Sequence, residues 1–109
     1  MLKATTNMTF ESAAAASLAL KPDAPLFCFS APQLHERAQV FLKDFHGEVT
    51  FAVKANSSSQ VIKGLADAGI KAWDVASVHE MAMVSKIVSK ARFHYHNPVK
   101  SRREIADAY

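Results

Sequence analysis

A chain of 109 residues with 50% hydrophobic content has the composition of an ordinary globular protein and room for one modest domain. Its formal charge of +3 comes from scattered basic residues, which argues against a nucleic-acid surface, and no run reaches the roughly 18 apolar residues of a membrane span. The single cysteine, Cys28, excludes an internal disulfide and in "LFCFS" reads as a small buried residue in a reducing compartment, so cytoplasm is the expected location.

Residues 1–24 read as a variable amino-terminal segment, in which a short alanine-rich helix near Glu11 to Leu20 stops at the two prolines of "KPDAP". Its apolar stretch is short and interrupted by Glu11, unlike a secretory leader. "PLFCFS" predicts a brief aromatic strand. Ser30 can then cap a helix through "APQLHERAQVFLKDF", where Leu34, Ala38, Phe41, Leu42 and Phe45 recur at helical spacing. His46 and Gly47 are expected to close it, glycine being the residue that tolerates the left-handed conformation after a helix.

A strand-helix unit then repeats. "EVTFAVKAN" predicts a strand, "SSSQVIKGLADAG" a serine-capped helix ending at Gly69, "IKAWDVAS" a second strand and "SVHEMAMVSKIVSK" a second helix. "ARFHYHN" predicts the third strand and "SRREIADAY" opens a third helix, with Lys100, Arg102 and Arg103 as its solvated start. Strands alternating with helices at this spacing imply an α/β fold with parallel pairing through right-handed crossovers, either an open doubly wound sheet or a closed barrel. In both, ligands gather at the carboxyl ends of the strands, where Lys54, Asp74 and Asn97 fall.

The period-two pleat puts Val49, Phe51 and Val53 on one face and Thr50, Ala52 and Lys54 on the other. Burial at a barrel mouth would disfavour the charged form of Lys54 and suit a neutral amine to Schiff-base chemistry; the alternative is a lysine that snorkels to water. Asp74 could approach Lys54 across a parallel pair or serve turn geometry. Glu80 completes "SVHE", a capping-box pattern that accounts for it without chemistry. His94 and His96 share a strand face at a spacing compatible with metal ligands, but no third ligand accompanies them and no metal site is expected.

Taken together, "PLFCFS", "FAVKAN", "WDVASVHEM" and "YHNPVKSRREI" resemble, in order and at family-like spacing, the pyridoxal 5'-phosphate-dependent ornithine, lysine and diaminopimelate decarboxylases. The resemblance runs from about Pro25 to Tyr109. It implies about three strand-helix units of a (β/α)8 TIM barrel of the alanine-racemase-like type, preceded by an entry strand and helix, with the rest of the barrel and a carboxyl-terminal β domain absent from residues 25–109. By the resemblance Lys54 carries pyridoxal 5'-phosphate covalently, Asp74 lies beside lysine and cofactor, and Glu80 joins them as a catalytic residue. The "NPVK" of Asn97 to Lys100 matches the ornithine and lysine branch better than the diaminopimelate branch. The implied activity is decarboxylation of ornithine or lysine to a diamine and CO2, as in polyamine biosynthesis, by a homodimer.

The family's glycine-rich phosphate loop, the carboxylate facing the pyridine nitrogen, and the groups lent by a partner subunit have no match here. The expectation is therefore an amino-terminal fragment, inactive alone, with exposed strand edges that favour self-association. The alternative is a non-enzymatic module that binds a full-length relative.

Overall fold

The computed structural model describes residues 8–109. The start of the expected amino-terminal segment, before Met8, lies outside the described residues. Five helices follow in chain order, α1 (Ala13–Leu20), α2 (Ala31–Asp44), α3 (Ser59–Ala68), α4 (Val78–Ser85) and α5 (Arg102–Ala108). Each starts on a serine: Ser12, Ser30, Ser58, Ser77 and Ser101 accept, through the side chain, the backbone N–H of the third residue onward. A hydroxyl there satisfies one of the donors that a helix start leaves unpaired, so these serines fix where the chain turns into helix.

Three strands, β1 (Thr50–Ala52), β2 (Ala72–Val75) and β3 (Arg92–Tyr95), form a parallel sheet in the order β1-β2-β3. Phe51 lies opposite Trp73, and Trp73 opposite Phe93. These residues, with Val53, Val75 and Tyr95, join Val61, Ile62 and Leu65 of α3 and Val84 of α4 in one apolar cluster. Trp73, Val53, Ile62 and Val84 are wholly buried, and the Phe51 and Trp73 rings meet edge to face with centroids 6.2 Å apart. The opposite face carries Thr50, Ala52, Ala72, Asp74, Arg92 and His94. Alternation thus separates a packed face from a polar one.

Helix α2 packs on α3, where an added Cβ at Gly64 would come within 2.9 Å of Leu34 Cδ2. The Gln39 side-chain amide donates to the Ala68 carbonyl at 2.7 Å, closing the far end of the same contact. Gly69, expected just past the end of α3, caps it in the left-handed conformation (φ 113°), with its N–H on Ala66 O and the Ile70 N–H on Leu65 O.

Several expectations need correction. "PLFCFS" is not a strand: residues 25–30 carry no regular structure, Phe27 is 98% exposed, and Cys28 is exposed where burial was expected. Aromatic propensity is not enough without a neighbouring strand to supply ladder bonds and a surface to pack on. Gly47 does not adopt the left-handed conformation; Phe45 is the C-cap of α2, in extended backbone, and its ring lies where a side chain at Gly47 would project. The expected strand over "EVTFAVKAN" is three residues long and continues as a 3-10 turn, Val53–Ala55. Helix α4 stops at Ser85 rather than near Lys90, where β-branched Ile87 and Val88 stand between serines that compete for backbone bonds.

Replacing Trp73 by Ala removes the centre of the cluster and is expected to cost about 3–5 kcal/mol, read as a lowered urea midpoint. Gly69→Ala forces a side chain into left-handed backbone and is expected to cost on the order of 1–2 kcal/mol by the same measurement.

Candidate active site at the carboxyl edge of the sheet

The residues that could do chemistry lie where the three strands end. Lys54 sits in the 3-10 turn that leaves β1, between fully buried Val53 and the Asn56 that begins the approach to α3. Asn56 Oδ1 accepts the Ser58 N–H at 3.1 Å, a local turn that delivers Ser58 to its capping position. Val53 anchors the turn in the core while Lys54 is exposed. Of the two readings of Lys54, burial at a barrel mouth is not found and the solvent-reaching alternative is, because the strand has already given way to the turn at Val53. Among the described residues Lys54 makes no ion pair.

Asp74 stands in β2 opposite Ala52 on one side and His94 on the other, and is half-buried. Its Oδ1 is 2.9 Å from Nδ1 of His96, a residue just past β3, and among the described residues it forms no ion pair with Lys54. Glu80 is placed in the first turn of α4. Its Oε2 accepts the Ala76 N–H at 2.7 Å and its own N–H donates to Ser77 Oγ at 3.2 Å. The serine half of the capping box expected of "SVHE" forms, but the Glu80 carboxylate takes the N–H of Ala76, one residue before the N-cap Ser77, so the reciprocal half does not.

Glu48 was not legible as a site residue. One of its oxygens pairs with Arg92 and the other lies 3.2 Å from His94 Nε2, tying the loop before β1 to the polar face of β3. The two histidines therefore address different carboxylates, His94 to Glu48 and His96 to Asp74, with ring centroids 5.9 Å apart. The signal that could have found this is the pleat itself: with β2 and β3 in parallel register, Arg92, His94 and His96 must share the face of Asp74.

In the "NPVK" segment, Asn97 Oδ1 accepts the Val99 N–H at 3.2 Å, and Lys100 Nζ lies 4.9 Å from the centre of the Tyr95 ring. Burial and the nearby Glu104 carboxylate push the Tyr95 phenol above its ordinary range. Tyr95 Oη and Trp73 Nε1 are buried with no hydrogen-bond partner among the described residues. Glu104 completes a capping box with Ser101, accepting its N–H at 2.7 Å, and the hydrogen bonds from Ser101 hold its carboxyl below the usual glutamate range.

A parallel α/β sheet with a lysine on the turn leaving one strand and an acid-imidazole pair at the same edge defines a ligand-binding edge of the α/β class. The family model described as pyridoxal-dependent decarboxylase, pyridoxal binding domain, matches residues 31–109, and the chain belongs to that family. No curated protein and no solved structure matches it. The cofactor that the domain takes is pyridoxal 5'-phosphate. The residues present fit its aldehyde end, since Lys54 offers an exposed primary amino group that no carboxylate pairs with among the described residues.

Because Glu104 is held more acidic folded than unfolded, its contribution to α5 is present above the unfolded carboxyl's range and is lost as pH falls through the folded value. Acid titration is expected to unravel α5 before the sheet, followed by the Ser101 amide resonance. In Glu104→Gln that resonance should lose most of its acid dependence.

Proposed function

We propose that Lys54 is the residue through which this domain holds pyridoxal 5'-phosphate, and that the chain is the lysine-bearing part of a decarboxylase acting on ornithine or lysine. The observation that carries the reading is the position of Lys54: on the turn leaving β1, exposed, without an ion pair, at the edge where parallel α/β sheets collect ligands. When bound, the cofactor supplies an electron sink for the pair left at Cα as CO2 departs. Lys54 holds the cofactor and yields its place to the substrate amine. Asp74 contributes negative charge at the same carboxyl edge of the sheet. Glu80 joins the site through the turn it stabilises, Ala76 to Ser77, which sets the course of the chain as it leaves β2. The "NPVK" loop favours the ornithine and lysine branch of the family.

In this reading residues 25–109 are the first part of a (β/α)8 barrel whose remaining strands and β domain complete the cofactor site, and the active form is a homodimer. The exposed outer edges of β1 and β3 in the three-stranded order support that extension. The chain by itself is then without turnover.

Incubation with pyridoxal 5'-phosphate, borohydride reduction and peptide mapping should place the dominant label on Lys54 among the chain's nine lysines. Lys54→Arg should abolish that label without raising another to its level. Label spread evenly over the lysines would sink the assignment. Release of CO2 from ornithine by this chain alone would contradict its lack of turnover.

A further inference from the structure

The polar face of the sheet carries a second constellation besides the lysine edge. His94 stands in β3, and His96 follows on the same face one residue past the strand, where its N–H donates to Val75 O at 3.0 Å and continues the ladder. Their rings are neighbours, with centroids 5.9 Å apart and planes inclined by 30°. Each ring sets one nitrogen on a carboxylate: Nε2 of His94 lies 3.2 Å from Glu48, and Nδ1 of His96 lies 2.9 Å from Asp74. A neutral imidazole facing a carboxylate carries its proton on that nitrogen, which leaves the lone pair on the other. Nδ1 of His94 and Nε2 of His96 are therefore the nitrogens with lone pairs, and neither has a partner among the described residues.

Adjacent imidazoles, each backed by a carboxylate that orients the ring, are a donor set for transition metals. We propose that His94 and His96 chelate one divalent first-row transition-metal ion, Cu2+ most tightly, through Nδ1 of His94 and Nε2 of His96, with water completing the coordination. A metal about 2.0–2.1 Å from an imidazole nitrogen lies ~3.2 Å from the ring centre, so two rings sharing an ion have centres at most roughly 6.4 Å apart. These two fall within that reach. Among the described residues no group of three His, Cys, Asp or Glu side chains could hold a metal, so the protein supplies two ligands and solvent the rest. Solvent has access, since the His94 and His96 side chains are 35% and 67% exposed. Cu2+ suits so small a donor set best, because it heads the affinity order of the divalent series and takes tetragonal nitrogen and oxygen ligands. Glu48 and Asp74 add negative charge behind the rings, part of which Arg92 offsets through Glu48. The site does not depend on the reading of Lys54, whose amine takes no part in it.

Titration of the full chain with Cu2+, followed by calorimetry and by paramagnetic broadening of the histidine ring resonances, tests it. Sub-equivalent Cu2+ is expected to broaden His94 and His96 before His35, His46 and His79, which stand on or beside α2 and α4. His94→Ala and His96→Ala should each weaken binding on the order of tenfold or more, and the double variant little further, because losing one ring already ends chelation. Asp74→Asn, which keeps the shape but not the charge behind His96, should weaken it about tenfold, while His46→Ala leaves it unchanged. Far-UV circular dichroism of His96→Ala should match the parent, since that ring is mostly in solvent, so its lost affinity reports chelation and not folding. Broadening spread evenly over the five histidines, or an affinity that survives either His94→Ala or His96→Ala, would overturn the proposal.

Discussion

The burial of Trp73 at the centre of a parallel sheet is the constraint on which the other features depend. Strand β2 has a neighbour on each side, and its indole is covered by the helices that follow β1 and β2. With Trp73 turned to the helices, the pleat leaves Asp74 on the opposite face, and register then sets Ala52 and His94 beside it. A one-residue slip would bury Asp74 among Val61, Ile62 and Val84 without a partner, which an ionised carboxylate does not tolerate. The same hydrophobic choice therefore builds the core and aims the polar edge.

Much of this was legible in the chain. The alternation of short apolar runs with serine-initiated helices announced the parallel α/β arrangement, and Gly69 marked the end of α3. What was not legible depended on partners distant in sequence. Residues 25–30 have strand composition but no strand beside them, so Phe27 stands in solvent. Gly47 has the composition of a cap, yet Phe45 ends the helix in extended backbone and covers the glycine with its ring.

At the site, sequence located Lys54 and Asp74 near the carboxyl edge but misjudged their surroundings. Lys54 could be read as buried at the end of a long strand or as reaching water; Val53 enters the core and the chain turns, leaving the lysine outside. Asp74 pairs with His96, a partner that sequence spacing did not indicate. Glu80 stays local as its pattern suggests, since both its bonds are made within four residues of itself, though its carboxylate takes the Ala76 N–H and not that of the N-cap. Interactions confined to one turn can be read from spacing, whereas the choice of His96 over His94 depends on the competing carboxylate of Glu48, more than forty residues away.

The most direct measurement is a crystal structure of the chain grown with pyridoxal 5'-phosphate. The account predicts density continuous from Lys54 Nζ into the cofactor, with Asp74 still turned to His96. Cofactor joined to a different lysine, or bound away from the carboxyl edge of the sheet, would contradict it.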